Sequence, residues 1–468
     1  MLKELKDNIR RTAFLLVALL AVLLVYVSYI QVVESEFLTA HPLNRRSAEA
    51  AEKVERGKIL DRTGDRLAFS EPDGQGRFRR LYPYGAIASS VTGYSSLRYG
   101  KAGMESTFNG YLSGITNPER RFGPVTHLWT PAAGNDVTLT IDGDLQETAY
   151  RALGNRRGAV VALDPRTGAV LAMVSRPGFD PADIDANWEA ISGAETSPLL
   201  NRATQGLYPP GSTLKVMIAE AALNEKIADV QQTFACEGSL KIGPDYTLRE
   251  SGGRAHGKLD LEEALAVSCN VTFGKLGLEL GRSRMARTFD RYGFSRPVGD
   301  ELQEAASRLP DFGRLGDGDL AQTAIGQGSL LVTPLRMAML AAGIANKGVL
   351  MRPYLVSKVT APDGAVVKQY SPAEFLAVSN AALAGAVSKM MVAVVAEGTG
   401  YGARIGGVQV AGKTGTAENP HGDPHAWFIG FAPADNPQIA IAVIAENAGA
   451  GGGVAAPIAR QVMARALR

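Results

Sequence analysis

One stretch limits the possible folds more than any other. From Thr12 to Val33 the chain is apolar, with only Ser28 and Gln31 polar after Thr12. A run of this length crosses the hydrocarbon core of a bilayer as a helix. Lys3, Lys6, Arg10 and Arg11 precede it, and Glu34 and Glu36 follow. Basic flanks stay on the cytoplasmic side, so residues 1–11 read as a cytoplasmic tail, residues 12–33 as a membrane anchor, and everything after as lying outside the cytoplasm. Tyr26 and Tyr29 fall near the outer end, where interfacial aromatics collect. A cleaved signal peptide has a shorter apolar part with a small-residue cleavage site close behind, and the length here favours the anchor.

The rest of the chain is long enough for two folded domains. Its 49 Lys and Arg nearly balance 47 Asp and Glu, and no polybasic block occurs, which argues against a nucleic-acid partner. Residues 34–136 are rich in Arg, Gly, Ser and Tyr. Within them Ile59-Leu60, then Asp61-Arg62-Thr63-Gly64, then Leu67-Ala68 read as a hairpin around a polar turn. This segment is expected to be a small β-rich packing module without chemistry of its own.

From Val137 the pattern changes. A helix is expected from Leu145 to Leu153, then a hairpin of Gly158–Leu163 and Ala169–Val174 around Asp164-Pro165-Arg166-Thr167-Gly168. Thr333-Pro334 starts another helix, with a threonine cap and Pro in the first turn, and a further helix runs from Ala381 to Ala396. Three strand-like runs follow: Val408 to Gly412, Ala426 to Phe431 and Ile439 to Ala445. A last helix begins at Pro457. Strands at both ends with helices between and after predict an α+β fold, an antiparallel sheet between helical layers, over residues 137–468.

The chemistry centres on Tyr208-Pro209-Pro210-Gly211-Ser212-Thr213-Leu214-Lys215. The prolines hold the chain extended, Gly211 permits a tight turn, and good helix formers follow from Thr213. Ser212 therefore sits at or beside a helix N-terminus, and Lys215, three residues on, shares its face. The helix is apolar nearly all round, as a core helix is. A lysine there is costly to bury charged, so its pKa should fall until it can act as a base for the serine proton. On four residues alone, a helix cap followed by a solvated lysine is the better explanation of the spacing. Two later stretches change that: Ser268-Cys269-Asn270 and Lys413-Thr414-Gly415-Thr416.

Ser-x-x-Lys, Ser-x-Asn and Lys-Thr-Gly in this order form the signature of penicillin-binding proteins and serine β-lactamases. The chain resembles a class B penicillin-binding protein, a peptidoglycan D,D-transpeptidase of the small PbpA/FtsI-like type. Arg56-Gly57-Lys58-Ile59-Leu60-Asp61-Arg62-Thr63-Gly64 is similar to that family's pedestal, which contacts partner proteins. The resemblance implies a bacterial inner-membrane enzyme with its catalytic domain outside the cytoplasm. It implies a serine acyl-enzyme formed from a stem peptide of peptidoglycan or a lipid II-derived glycan, with β-lactams as covalent inhibitors and a SEDS-type membrane glycosyltransferase as partner. Ser212 would be the nucleophile and Lys215 its base. Ser268 would relay a proton, and Asn270 would hold the substrate backbone and Lys215. Lys413, Thr414 and Thr416 would bind the terminal carboxylate, Gly415 would let a peptide approach the strand edge, and the N–H groups of Ser212 and Thr416 would form an oxyanion hole. Leu214 and Arg336 depart from the family pattern, which commonly has Phe and Gln there.

No cofactor or metal is expected. His421-Gly422-Asp423-Pro424-His425 has ligand-type residues but reads as a polar loop, because further ligands are lacking. Cys236 and Cys269 read as packed free thiols, although a disulfide is permitted outside the membrane. His256 reads as structural, and Trp427, Phe428 and Phe431 as strand core. Two other functions stay open. One is a D,D-carboxypeptidase, which passes the acyl group to water. The other is a non-catalytic penicillin-binding scaffold or sensor, against which the complete motif set speaks. A β-lactamase would need a water-activating Glu-x-x-Leu-Asn stretch, and none lies between the second and third motifs.

Overall fold

The computed structural model describes residues 2–34, 53–114, 133–420 and 422–468. Glu36, the parts of the 34–136 segment at 35–52 and 115–132, and His421 lie outside them. The chain divides into two compact units, residues 1–55 with 72–79, and residues 56–71 with 80–468.

The first unit carries the helix Leu2–Val32. It is long and apolar enough to cross a membrane, and its side chains are exposed almost throughout.

The second unit is built on a five-stranded, wholly antiparallel sheet. Its order is Ala411–Ala417, His425–Ala432, Ile439–Ala445, Gly158–Leu163, Val170–Arg176. Every residue of the central strand Ile439–Ala445 is buried, so both sheet faces are covered. Alternation along the strands sorts the side chains. Ala440, Ala442 and Ile444 join Val161, Ile429 and the helices Lys215–Asn224 and Pro334–Ala345 in one core. Ile441, Val443, Val160 and Phe428 join the helices Gly143–Leu153 and Ala455–Ala466 in the other. Trp427, Phe428 and Phe431 are strand core, as expected.

Several boundaries differ from the sequence reading, most by one or two residues, and two bear on the argument. The edge strand is Ala411–Ala417, not Val408 to Gly412. Ile405 bridges Val408 around Gly407, whose φ of 75° takes the chain through a tight turn, and pairing begins only where Ala411 meets Phe431. The third motif is therefore inside the strand. The last helix starts at Ala455, two residues before Pro457. The helix Ala381–Ala396 and the strand Ile439–Ala445 have the expected limits.

The Arg-Gly-x-Ile-x-Asp stretch packs for identifiable reasons. Ile59–Leu60 runs parallel to Asp136–Leu139, which pairs antiparallel with Val356–Thr360. A Cβ on Gly57 would lie 2.0 Å from the Asn135 carbonyl oxygen, so only glycine fits. Asp61 accepts N–H bonds from Thr63 and Asp65 at 2.8 Å and from Gly143, the start of a helix, at 3.0 Å. Arg56 and Arg80 converge on Glu105, at 2.5 and 2.7 Å, and Glu105 is fully buried. Arg336, where the family commonly has Gln, is buried against Glu304 and donates to the Gly293 carbonyl at 2.8 Å. Its charge is thus neutralised locally.

Candidate active site

The first motif forms a 3-10 turn, Gly211–Leu214, that runs into the helix Lys215–Asn224. Gly211 has φ 54°. Its N–H donates to the Gly326 carbonyl at 2.9 Å, and a Cβ on Gly326 would stand 2.1 Å from the Gly211 oxygen. The Ala324–Gly328 loop thus presses directly on the turn carrying Ser212. From the other side, Trp427 Nε1 donates to the Pro209 carbonyl at 3.0 Å. Tyr208 donates to Glu446 at 2.7 Å, and Glu446 also takes Arg202 at 2.7 Å and Arg157 at 2.9 Å. Sequence reasoning missed this anchoring, because Glu446 lies 238 positions from Tyr208 and belongs to no motif.

Ser212 is partly exposed, whereas Lys215 is completely buried in a helix whose next eight residues are buried too. The helix's one carboxylate, Glu220, is held by Arg291 at 2.7 Å. Lys215 Nζ donates to the Ser268 carbonyl at 2.6 Å and to Asn270 Oδ1 at 2.7 Å, and stands 3.3 Å from Ser268 Oγ. All three partners are neutral. Burial pulls the ammonium down to about 8, against a weaker upward pull from Glu250 and Cys269.

The second motif lies in the break between two helices. Leu261–Ala266 starts with a capping box of Asp260 and Glu263, and Asn270–Arg291 starts one residue after Cys269. Ser268 connects them at φ 62°, a strained conformation for a residue with a side chain. This turn presents both Ser268 and Asn270 to Lys215 and sends Cys269 inward, where it is fully buried. Glu250 clamps the new helix, accepting N–H bonds from Asn270 at 2.9 Å and Val271 at 2.6 Å. Burial opposes its charge, but these bonds hold its carboxyl below the usual range. Glu250 was not legible as a site residue, since it follows a short strand with no motif around it.

The third motif runs beside the serine turn. A Cβ on Gly211 would meet the Thr416 carbonyl at 3.0 Å and Ala417 Cβ at 3.1 Å. Lys413 is fully buried, donating to the Thr414 carbonyl at 2.9 Å, and burial together with the like charge of Lys215 pushes its pKa well down. Thr416 is exposed. Thr414 Oγ1 lies 2.6 Å from Thr399 Oγ1, a partner the sequence did not suggest. Gly415 lies close against the serine turn. A Cβ there would stand 3.0 Å from Thr213 Cγ2 and Trp427 Cβ and 3.1 Å from the Pro210 oxygen, so these neighbours would have to give by a few tenths of an ångström.

The structure therefore brings Lys215, Ser268 and Asn270 into contact and sets the strand Ala411–Ala417 against the turn of Ser212. Cys236 and Cys269 are both free and buried. His425 is partly buried and accepts the Asn447 N–H at 3.1 Å.

Comparisons with known proteins give the family. Residues 158–464 match the penicillin binding protein transpeptidase domain, and residues 56–130 match the penicillin binding protein A dimerisation domain. The chain is 37% identical to the peptidoglycan D,D-transpeptidase PbpA of Mycolicibacterium smegmatis, over 98% of this chain and 99% of that protein. It is 32% identical to the peptidoglycan D,D-transpeptidase MrdA of Acinetobacter baumannii, over 82% and 65%. Among solved structures, penicillin-binding protein A from M. tuberculosis as a ceftriaxone acyl-enzyme superposes with a TM-score of 0.84 at 34% identity, covering 90% of this chain and all of that one. The D,D-transpeptidase domain from Eggerthella lenta gives 0.82 at 35%, covering 89% and 98%. With both of its domains matched and the M. smegmatis PbpA aligned over nearly its whole length, the chain belongs to the class B penicillin-binding proteins of the PbpA type.

Proposed function

We propose that the protein is a peptidoglycan D,D-transpeptidase that works through a serine acyl-enzyme on Ser212. The observation that carries this reading is Lys215, a fully buried amine with three neutral oxygen partners, three residues from Ser212. With its pKa near 8, a useful fraction is neutral at physiological pH and able to take the Ser212 proton. Ser212 Oγ attacks the carbonyl between the last two D-alanines of a stem peptide, and the tetrahedral oxyanion is held by the N–H groups of Ser212 and Thr416. Lys215 returns the proton through Ser268 to the departing D-alanine nitrogen. The amine of a second stem peptide then attacks the acyl-enzyme and forms the cross-link.

Asn270 holds Lys215 through its Oδ1, while its Nδ2 donates to the Arg249 carbonyl at 3.0 Å. Lys413, Thr414 and Thr416 receive the substrate's terminal carboxylate, whose negative charge restores the proton that burial disfavours on Lys413. If Thr399 donates within its pair, the proton of Thr414 remains available to the carboxylate. β-Lactams enter the same path and stop at the acyl stage. We place the catalytic unit outside the cytoplasm, held by a single membrane helix, because basic residues precede that helix. We assign residues 34–136 to a pedestal and 137–468 to catalysis, and expect a SEDS-type glycosyltransferase as partner.

The test is covalent labelling of the full chain in detergent with a fluorescent penicillin, beside Ser212→Ala. Label that persists on the wild type and is absent from a folded variant supports the reading. Rapid loss of label points to hydrolysis, and equal labelling of both proteins removes Ser212 from the role.

A further inference from the structure

Thr399 follows the helix Ala381–Ala396 and belongs to none of the three motifs, yet it touches the elements that carry two of them. Its N–H donates to the Ala266 carbonyl at 3.1 Å. Ala266 ends the helix Leu261–Ala266, two positions before Ser268, and a carbonyl at a helix end has no partner inside the helix. On its other side, Thr399 Oγ1 lies 2.6 Å from Thr414 Oγ1 in the strand Ala411–Ala417. One residue thus ties the second motif to the third. We propose that Thr399 is a specificity-determining residue of the acyl-transfer site: its hydroxyl donates to Thr414 and so turns the Thr414 proton onto the terminal carboxylate of the substrate. This rests on the acyl-transfer reading given above.

The backbone around Thr399 is held from three sides. A Cβ on Gly398 would stand 2.3 Å from the Ala266 oxygen, so the loop presses directly on the end of that helix. Behind Thr399, a Cβ on Gly452 would stand 2.5 Å from the Thr399 oxygen. After it, the Gly400 N–H donates to the Val394 carbonyl at 2.9 Å and turns the chain back onto its own helix. The side chain therefore keeps its place beside Thr414 without help from a ligand. Thr414 is nearly buried, at 7% exposure, whereas Thr399 is exposed. The hydroxyl pair thus sits at the protein surface, on the strand that also carries the exposed Thr416.

A count of protons fixes the direction of the bond. Each hydroxyl has one proton to give and an oxygen that can accept. In the free protein either threonine can be the donor of the pair. An ionised carboxylate only accepts. Once it meets Thr414, the single Thr414 proton goes to it, and the Thr414 oxygen is left to accept from Thr399. The result is a chain from Thr399 to Thr414 to the carboxylate, in which each bond polarises the next and the last is strengthened by charge. Lys413, whose Nζ sits 2.9 Å from the Thr414 carbonyl, supplies the positive charge, and Thr399 supplies the direction. An ester or amide in place of the carboxylate carries no charge to polarise this chain. Thr399 therefore selects for a free terminal carboxylate, and its effect is on binding and not on the attack by Ser212.

The test follows acylation of the full chain in detergent by benzylpenicillin and by its methyl ester, over a range of concentrations. Thr399→Val keeps the shape and removes the donor, and Thr399→Ser keeps the donor. Thr399→Val should lower the second-order acylation constant for benzylpenicillin about three- to tenfold, the effect of one hydrogen bond. The loss should lie in the concentration needed for half-saturation, with the limiting rate kept. The ester should react with wild type and Thr399→Val alike, and Thr399→Ser should match the wild type. Thr399→Ala supplies the comparison if Thr399→Val does not fold, and the split between half-saturation and limiting rate decides if the ester reacts too slowly to follow. Equal slowing of acid and ester, a fall confined to the limiting rate, or a Thr399→Ser as slow as Thr399→Val would leave Thr399 a packing role only. Unchanged acylation of the folded Thr399→Val would overturn the proposal while the acyl-transfer reading stands. A wild type that takes no label at all would remove that reading, and this role with it.

Discussion

Glu105 and Lys215 are both shut away from water, and their surroundings differ in kind. Glu105 meets two guanidinium groups, Arg56 and Arg80, and its own charge is answered in full. Burial alone would raise its pKa, yet the two arginines hold it below 4.5. Lys215 donates only to oxygens of Ser268 and Asn270, and the upward pull of Glu250 and Cys269 is too weak to offset the cost of its burial. The first arrangement keeps a charge in place and so holds chain segments together. The second makes the charge easy to lose, which is what a proton acceptor needs. Burial of an ionisable group is therefore not in itself a sign of catalysis, and the charge of its neighbours decides.

Removing Lys215 should separate chemistry from stability most sharply. Lys215→Met is expected to slow acylation by fluorescent penicillin by about 10²–10⁴-fold, the usual range for a lost general base. Its melting temperature should not fall, because an ammonium that is costly to bury is replaced by an apolar chain of similar length. Labelling at the wild-type rate would remove Lys215 as the base. Glu105→Ala should do the opposite. It leaves two guanidinium groups facing each other unpaired, which costs about 3–5 kcal/mol. Denaturant unfolding measures that loss, while the folded fraction should acylate at the wild-type rate.

The same contrast explains what could be read in the sequence. Ser212, Lys215, Ser268, Asn270 and Lys413 could be proposed from the sequence because the proposed chemistry calls for those residue types at short local spacings. Long periodic elements such as Ala381–Ala396 and Ile439–Ala445 were legible for an equally local reason. Glu105, Glu250, Glu446 and Thr399 were not, since each acts across tens to hundreds of positions through contacts that only the fold creates. The shift of the edge strand to Ala411–Ala417 has the same origin. Val408 and Val410 have strand propensity, but pairing with His425–Ala432 and the turn at Gly407 decide where the strand begins.

Gly415 extends the comparison to a neutral residue of the site. Its Cβ would sit at 3.0–3.1 Å from Thr213, Trp427 and Pro210, which is tight packing against the serine turn. Gly415→Ala should therefore cost about 1–3 kcal/mol of stability, as overpacked sites do, and slow acylation through the displaced turn. If glycine served only substrate approach, weaker substrate binding would appear with no change in melting temperature, and the packing account would be wrong.

The pH response distinguishes the two buried charges without any mutation. Lys215 must be neutral to accept the Ser212 proton, and its pKa is lowered to about 8. Below that value the neutral fraction grows about tenfold per pH unit, so acylation should rise about tenfold per unit up to pH 8 and level off above it. Glu105 titrates at the other end. Its folded pKa lies below its ordinary value, so its contribution to stability is complete above pH 4.5 and is lost as pH falls through the folded value. Raising the pH from 7 should thus change rate and leave the Glu105 cluster untouched, and acidification below 4.5 should weaken that cluster. An acylation rate that is flat between pH 6 and 8 would mean that Lys215 is already neutral, or that another group takes the proton. Repeating the profile with Lys215→Met separates these two cases, since only the first loses its rate.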